Sequence, residues 1–264
     1  MDFKRRIIVA VLAVIGIGML LYPPAAQWTV VRDTAPLAAD IMALRDDPAA
    51  AAQVQAAAEW NVRLATGQDK QTDYEEMLNF GSDGLMGRVQ VPAIDADLPI
   101  YHGTGEETLR KGLGHSSDTS LPVGGVNTHA VLSAHTGMAS ATMLTNLGKV
   151  RLGDDVVVTV GGQVLAYQVV DINTVLPEEV QYLRIQPGRD LLTLLTCTPL
   201  GVNSHRLLVT AEYARDIAGQ APDPGFPWPF VVFGIVVVVA VGYVVVPAVR
   251  KRLAGRRDAL RLAA

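Results

Sequence analysis

Apolar residues are concentrated at the two ends of this chain. Ile7 to Leu21 is an uncharged apolar run behind Lys4, Arg5 and Arg6. Phe230 to Val249 is a second run, of membrane-spanning length, that stops at Arg250, Lys251 and Arg252. Between them the pattern changes twice. From Pro36 to about Leu64 the chain is Ala-rich and helical in character, with Asp47 and Pro48 offering a cap and a first-turn proline for a second helix. The polar stretch TGQDKQT breaks that pattern. Asp73 and Glu76 then form a capping box for a short helix through Asn79 or Phe80, which Gly81, Ser82, Asp83 and Gly84 end.

After Leu85 short β-branched runs alternate with Gly, Pro and Asn, the pattern of a β-sandwich or barrel. VVVTV, Gly161-Gly162 and QVLAYQVV predict a hairpin with a tight primed turn. Further strands are expected at Arg88 to Val91, Leu98 to Tyr101, His129 to Ala134, Leu191 to Thr196 and Arg206 to Tyr213.

The pattern divides the chain into a basic N-terminus (1–6), a membrane anchor or cleaved signal (7–22), a helical stalk or cover (33–84), a β-rich domain (85–215), a linker (216–229), a membrane helix (230–249) and a basic tail (250–264). Ala25 and Ala26 would lie near the cleavage site of a signal, whereas Tyr22, Pro23 and Pro24 suit the exit from an anchor. Both apolar runs carry positive charge on their outer flanks, so both termini are expected in the cytoplasm and the middle outside.

Between the runs 13 Lys and Arg face 24 Asp and Glu, net −11, which argues against a nucleic-acid partner. The chain has five His and one Cys without zinc-type spacing, and no metal or cofactor site is expected. The acidic pairs Glu106-Glu107, Asp154-Asp155 and Glu178-Glu179 read as solvated loop charge.

An exported domain normally uses Cys in pairs, so the single Cys197 is either an inert buried residue or a reagent. It ends the strand LLTLLTC, and Thr198-Pro199 starts a loop. Nine residues on, Arg206 opens the strand RLLV, so the two residues are expected at the same end of a sheet. His135 sits where VLSA gives way to Thr136 and Gly137. A thiolate favoured by an imidazole and a guanidinium, a guanidinium facing a developing oxyanion, and an imidazole to protonate a leaving amine together describe acyl transfer from a peptide. By spacing alone His102, His115, His129 and His205 compete with His135, and Arg206 could equally serve as an ordinary ion-pair partner.

The segments PIYHGT (99–104), KGLGH (111–115), TSLPVGG (119–125), THAVLSAHTG (128–137), TLLTCTP (193–199) and NSHRLLV (203–209) resemble, in that order, the sortase family, and most closely its class C, pilus-assembling members. The resemblance covers roughly residues 84–213 and implies an eight-stranded sortase β-barrel behind a helical lead-in, flanked by two transmembrane helices. It also implies Cys197 as nucleophile, His135 as general acid/base and Arg206 on substrate or oxyanion. The implied reaction cleaves an LPXTG-type sorting signal between Thr and Gly, holds the Thr carbonyl as a thioester, and passes it to an amine. A pilin lysine is the class C acceptor; a cell-wall precursor amine, on which surface proteins are attached to peptidoglycan, is the alternative. A Gram-positive envelope follows from the same resemblance.

One departure stands out. Class C members carry an Asp-Pro-aromatic lid ahead of the first strand, but here that segment is TGQDKQTDYEEML, and the nearby Asp47-Pro48 is followed by Ala49. No lid residues are assigned. Two readings outside the family are an L,D-transpeptidase, whose cluster joins Cys directly to Arg where this chain has Cys197-Thr198-Pro199, and a non-enzymatic membrane-anchored surface module with a buried thiol.

Overall fold

The computed structural model describes residues 3–68, 74–81, 83–136, 143–216 and 225–262. They belong to two units, residues 1–32 with 223–264, and residues 33–222.

The first unit is helical. Helix α1 runs over Phe3–Ala43, beginning in this unit, and α4 over Trp228–Leu262. Within them Phe3–Ala26 and Trp228–Arg250 are 24 and 23 residues long and apolar enough to cross a membrane. At about 1.5 Å per residue each exceeds a hydrocarbon core of about 30 Å. Leu20 and Val238 are 77% and 71% exposed, the reverse of a soluble core helix. Trp28 meets Phe230 edge-on at 5.5 Å between ring centres, and the Arg6 guanidinium lies 5.3 Å from the Tyr243 ring centre. Helix α1 does not stop at Pro23 and Pro24, since the proline φ is itself helical and only the lost N–H donors and ring bulk oppose it.

In the second unit a 3₁₀ turn at Leu44–Asp46 leads to α2, Pro48–Ala65. Asp47 caps α2 by accepting from the Ala49 N–H at 2.9 Å, with Pro48 in the first turn as the sequence predicts. The Asp-Pro pair is thus a helix start. Helix α2 buries Ala50, Ala57, Trp60 and Asn61 against the β domain. Asn61 reads the backbone of Leu121 in both directions, donating to its carbonyl at 2.9 Å and accepting from its N–H at 2.7 Å. The short helix expected next is only a 3₁₀ turn, Tyr74–Glu76. Its proposed cap Asp73 lies outside the described residues. Leu78 takes a φ of 54° and is fully buried, so core packing turns the chain before a helix can extend.

Eight strands close into a barrel in the order β1-β2-β3-β4-β7-β8-β6-β5. Their ranges are β1 Leu85–Val91, β2 Ala96–His102, β3 Leu113–His115, β4 Thr128–Ser133, β5 Asp155–Val160, β6 Gln163–Val175, β7 Asp190–Thr198 and β8 His205–Asp216. Six of them contain predicted runs, and β4 matches the run expected at His129 to Ala134 but ends one residue earlier, at Ser133. The unpredicted one, β3, is three residues long and too short to show a period; it exists because α3 (Glu106–Lys111) returns the chain parallel to β2, pairing Ile100 with Leu113. A Cβ at Gly114 would lie 2.3 Å from the Gly103 carbonyl, so this crossover needs glycine. The β5–β6 hairpin turns at Gly161 and Gly162, with φ of 55° and 77°, the primed geometry expected.

Alternation along β4 and β7 separates two faces. Ala130, Leu132 and Ala134 point into the core, as do Leu192 and Leu194. Strand parity therefore puts His129, Val131, Ser133 and His135, and Leu191, Thr193, Leu195 and Cys197, on the outer face.

Candidate active site

The positions of Cys197, Arg206 and His135 follow from two ladders meeting on β7. Strands β7 and β8 are antiparallel, with Leu195 opposite Leu208 and Cys197 opposite Arg206. Strands β4 and β7 are parallel, with Ser133 opposite Leu195. Their C-terminal ends therefore reach the same barrel edge, and two residues beyond the last pair His135 comes level with Cys197. The chain stays stitched past the end of β4: the Ala134 N–H donates to the Leu195 carbonyl at 3.1 Å, Thr196 Oγ1 donates to the Ala134 carbonyl at 2.8 Å, and the Thr136 and Thr196 hydroxyls are hydrogen-bonded. The sheet thus sets Cys197 opposite Arg206 and carries the chain leading to His135 to the same edge.

Cys197 is a free thiol, partly exposed at this edge. Arg206 donates through Nη1 to the carbonyls of Asn203 and His205, both at 3.1 Å. Those bonds tie its guanidinium to the β7–β8 connection rather than to a carboxylate among the described residues.

The competing histidines have other occupations. His102 is buried with Nδ1 2.9 Å from the Gly84 carbonyl and Nε2 2.7 Å from the Met77 carbonyl. His115 is fully buried; Nε2 donates to the Ser120 carbonyl at 2.8 Å and Nδ1 accepts from the Tyr74 hydroxyl at 2.9 Å. Burial pushes its pKa down to about 4, against the opposing Ser120 bond and with help from His102. His129 donates from Nδ1 to the Arg184 carbonyl at 2.9 Å, so Nε2 must accept from Thr193 Oγ1 at 2.7 Å; burial lowers its pKa as well. Thr193 continues the chain to Thr210 at 2.8 Å. This buried network pins the β6–β7 connection over the outer face. His205 pairs with Thr198, one position out of register with Cys197 and hence on the other face, where Ser204 meets its ring.

Sequence reasoning missed Glu106. It lies in the first turn of α3, not in a loop, and its Oε2 is 3.3 Å from His135 Nε2. No periodicity or spacing links residues 106 and 135; only the β2–α3–β3 crossover brings them together. The other acidic pairs have local occupations: Asp154 accepts from the Arg151 N–H, Asp155 pairs with Arg215, and Glu179 accepts from the Leu176 N–H. Among the described residues no group of three or more His, Cys, Asp or Glu is placed to hold a metal ion.

The barrel is closed and eight-stranded, with a free thiol opposite an arginine at one edge. The family described as Sortase domain matches residues 89–214. A sortase A of Streptococcus agalactiae serotype III (strain NEM316) is 31% identical over 135 residues, covering 50% of this chain and 53% of that protein. The chain thus spans about half the length of that curated relative. Among solved structures, Streptococcus pneumoniae sortase C is similar with a TM-score of 0.56 and 40% identity, covering 64% of this chain and 92% of the other. Clostridium perfringens sortase C is similar with a TM-score of 0.59 and 38% identity, covering 64% and 91%. The chain belongs to the sortase family, the cysteine transpeptidases.

Proposed function

We propose that this protein is a membrane-anchored transpeptidase that cleaves an LPXTG-type sorting signal and transfers the acyl group to an amine, most often a pilin lysine. The observation that carries this reading is the direct opposition of Cys197 and Arg206 at the edge where His135 comes level with them. The Cys197 thiol gives its proton to His135 as its sulfur attacks the Thr carbonyl carbon. Arg206 faces the oxyanion, and the tetrahedral intermediate collapses as His135 protonates the departing Gly amine. The thioester is then opened by the incoming amine. Two apolar helices with basic outer flanks support a domain held outside the membrane with both termini in the cytoplasm.

The C. perfringens structure contains the C-terminal cell wall sorting motif, and the S. pneumoniae one concerns pilin substrate specificity. These neighbours support the signal and the pilin acceptor proposed here. Part of the segment in which class C members carry their lid, residues 69–73, lies outside the described residues, and no lid enters the mechanism.

The test is mass spectrometry of the full chain in detergent, incubated with an LPXTG-type peptide beside Cys197→Ala and His135→Ala. A Leu-Pro-x-Thr adduct on Cys197, absent from both variants and discharged faster by a pilin-derived lysine peptide than by a cell-wall amine, is expected. An unmodified Cys197 across several signal peptides would reject the reading.

A further inference from the structure

We infer that Glu106 is a positioning residue for His135, setting the protonation geometry of its ring; this rests on the acyl-transfer reading above. His135 is 30% exposed as a side chain, yet its Nε2 atom is shielded from solvent and has no hydrogen-bond acceptor among the described residues. A shielded ring N–H without an acceptor loses the hydration it has in water, which is unfavourable. The group nearest to relieving it is the Glu106 carboxylate at 3.3 Å. That contact is within ion-pair range but is not aligned as a hydrogen bond. Glu106 is 64% exposed, so a small rotation of its carboxylate closes the bond without moving backbone.

The neighbourhood keeps the carboxylate in place. Arg110, one turn along α3, donates from Nε to Glu106 Oε1 at 3.2 Å, leaving Oε2 turned to His135. Glu107 does not compete, because it pairs with Lys111 at 3.4 Å. The charged and titratable groups brought to this edge are Glu106 and Arg110 from α3, Cys197 from β7, and His205 and Arg206 from β8.

The consequence is a fixed tautomer. A carboxylate can only accept, so it selects Nε2–H in the neutral ring and leaves the Nδ1 lone pair for the thiol. When the Cys197 proton moves to Nδ1 the imidazolium faces a carboxylate on its other side. Collapse of the tetrahedral intermediate returns the Nδ1 proton to the amine. Arg206 balances charge on the substrate oxygen and Glu106 balances it on the ring, from opposite sides of the site.

The experiment uses the full chain in detergent with ¹⁵N-labelled histidine, assigned by loss of the His135 signals in His135→Ala. The native protein is expected to show His135 as the Nε2–H tautomer. In Glu106→Gln the amide can donate as well as accept, and a substantial Nδ1–H fraction is expected. In parallel, acylation kcat should fall on the order of tenfold with KM little changed, a part of the ~10²–10⁴ that a positioned acid/base supplies. Glu106→Asp should recover part of the loss, and Glu107→Gln, the same charge change one residue away, should leave both readouts unchanged. An unaltered tautomer ratio in Glu106→Gln, or equal losses in the two Gln variants, overturns the inference. Failure of the native chain to acylate Cys197 would instead reject the function itself, whereas the tautomer is read without turnover.

Discussion

Cys197 and Arg206 stand directly opposite one another across the antiparallel β7–β8 pair, although eight residues separate them in the chain. The ladder on either side, with Leu195 opposite Leu208 and Thr193 opposite Thr210, holds that register, so the pair depends on the sheet rather than on the loop. The loop adds the restraint on Arg206, whose Nη1 is held by the carbonyls of Asn203 and His205.

This arrangement predicts how Arg206 variants behave. Arg206→Ala is expected to lower the acylation kcat by roughly 10²–10³, the usual effect of removing an oxyanion donor, with a smaller change in KM. Arg206→Lys should recover little, because a point ammonium cannot keep both loop carbonyls and still aim a planar fork at the substrate. Single-turnover adduct formation, followed by mass spectrometry, measures both. Near-native kcat in Arg206→Ala would remove this residue from the mechanism.

The helical lead-in is tied to the barrel at one polar point. Asn61 is buried and satisfies both the N–H and the carbonyl of Leu121. Asn61→Ala leaves two buried backbone groups unpaired and is expected to cost on the order of 2–4 kcal/mol. A urea melt of the full chain in detergent should show it as a lowered midpoint, with early proteolytic cleavage near α2. A change of a few tenths of a kcal/mol would mean that the apolar face of α2 docks without this bond.

His115 predicts a specific pH dependence. It is neutral in the fold, accepting from Tyr74 and donating to Ser120, with its pKa lowered to about 4 by burial. Between the unperturbed value of about 6.5 and that lower value the unfolded chain binds a proton that the folded chain refuses. Its contribution is therefore full above pH 6.5 and is lost as pH falls toward 4, with a slope of up to about 1.4 kcal/mol per pH unit. His115→Gln should be less stable at neutral pH yet show a shallower loss of stability from pH 6.5 to 4 in denaturant melts. Parallel slopes for the two proteins would contradict this account.

Much of the architecture was legible before folding, wherever the information is local. Long apolar runs with basic flanks need no partner to be recognised. Asp47-Pro48 caps α2 through an atom two residues away. Gly161-Gly162 takes positive φ because a two-residue hairpin turn demands it. Short β-branched runs bounded by Gly, Pro and Asn marked seven strands. Resemblance carried over short motifs supplied His135 where spacing alone left five histidines open.

What the sequence could not determine lies in contacts between distant segments. Strand β3 has no signal of its own and is a strand only because β2 and β4 flank it. The predicted helix after Asp73 gives way to a 3₁₀ turn because burial of Leu78 outweighs a local propensity worth tenths of a kcal/mol. The histidines sort themselves only in three dimensions, since a ring becomes structural when carbonyls 5 to 55 residues away occupy its nitrogens. Glu106 is the clearest case: read along the chain it is a solvated charge, and only the β2–α3–β3 crossover sets its carboxylate beside His135. Sequence by itself determined the elements that carry a local signal, the two apolar runs and the chemistry available; tertiary structure alone decided which side chains meet, because that depends on strand register and crossover, and no local pattern encodes either.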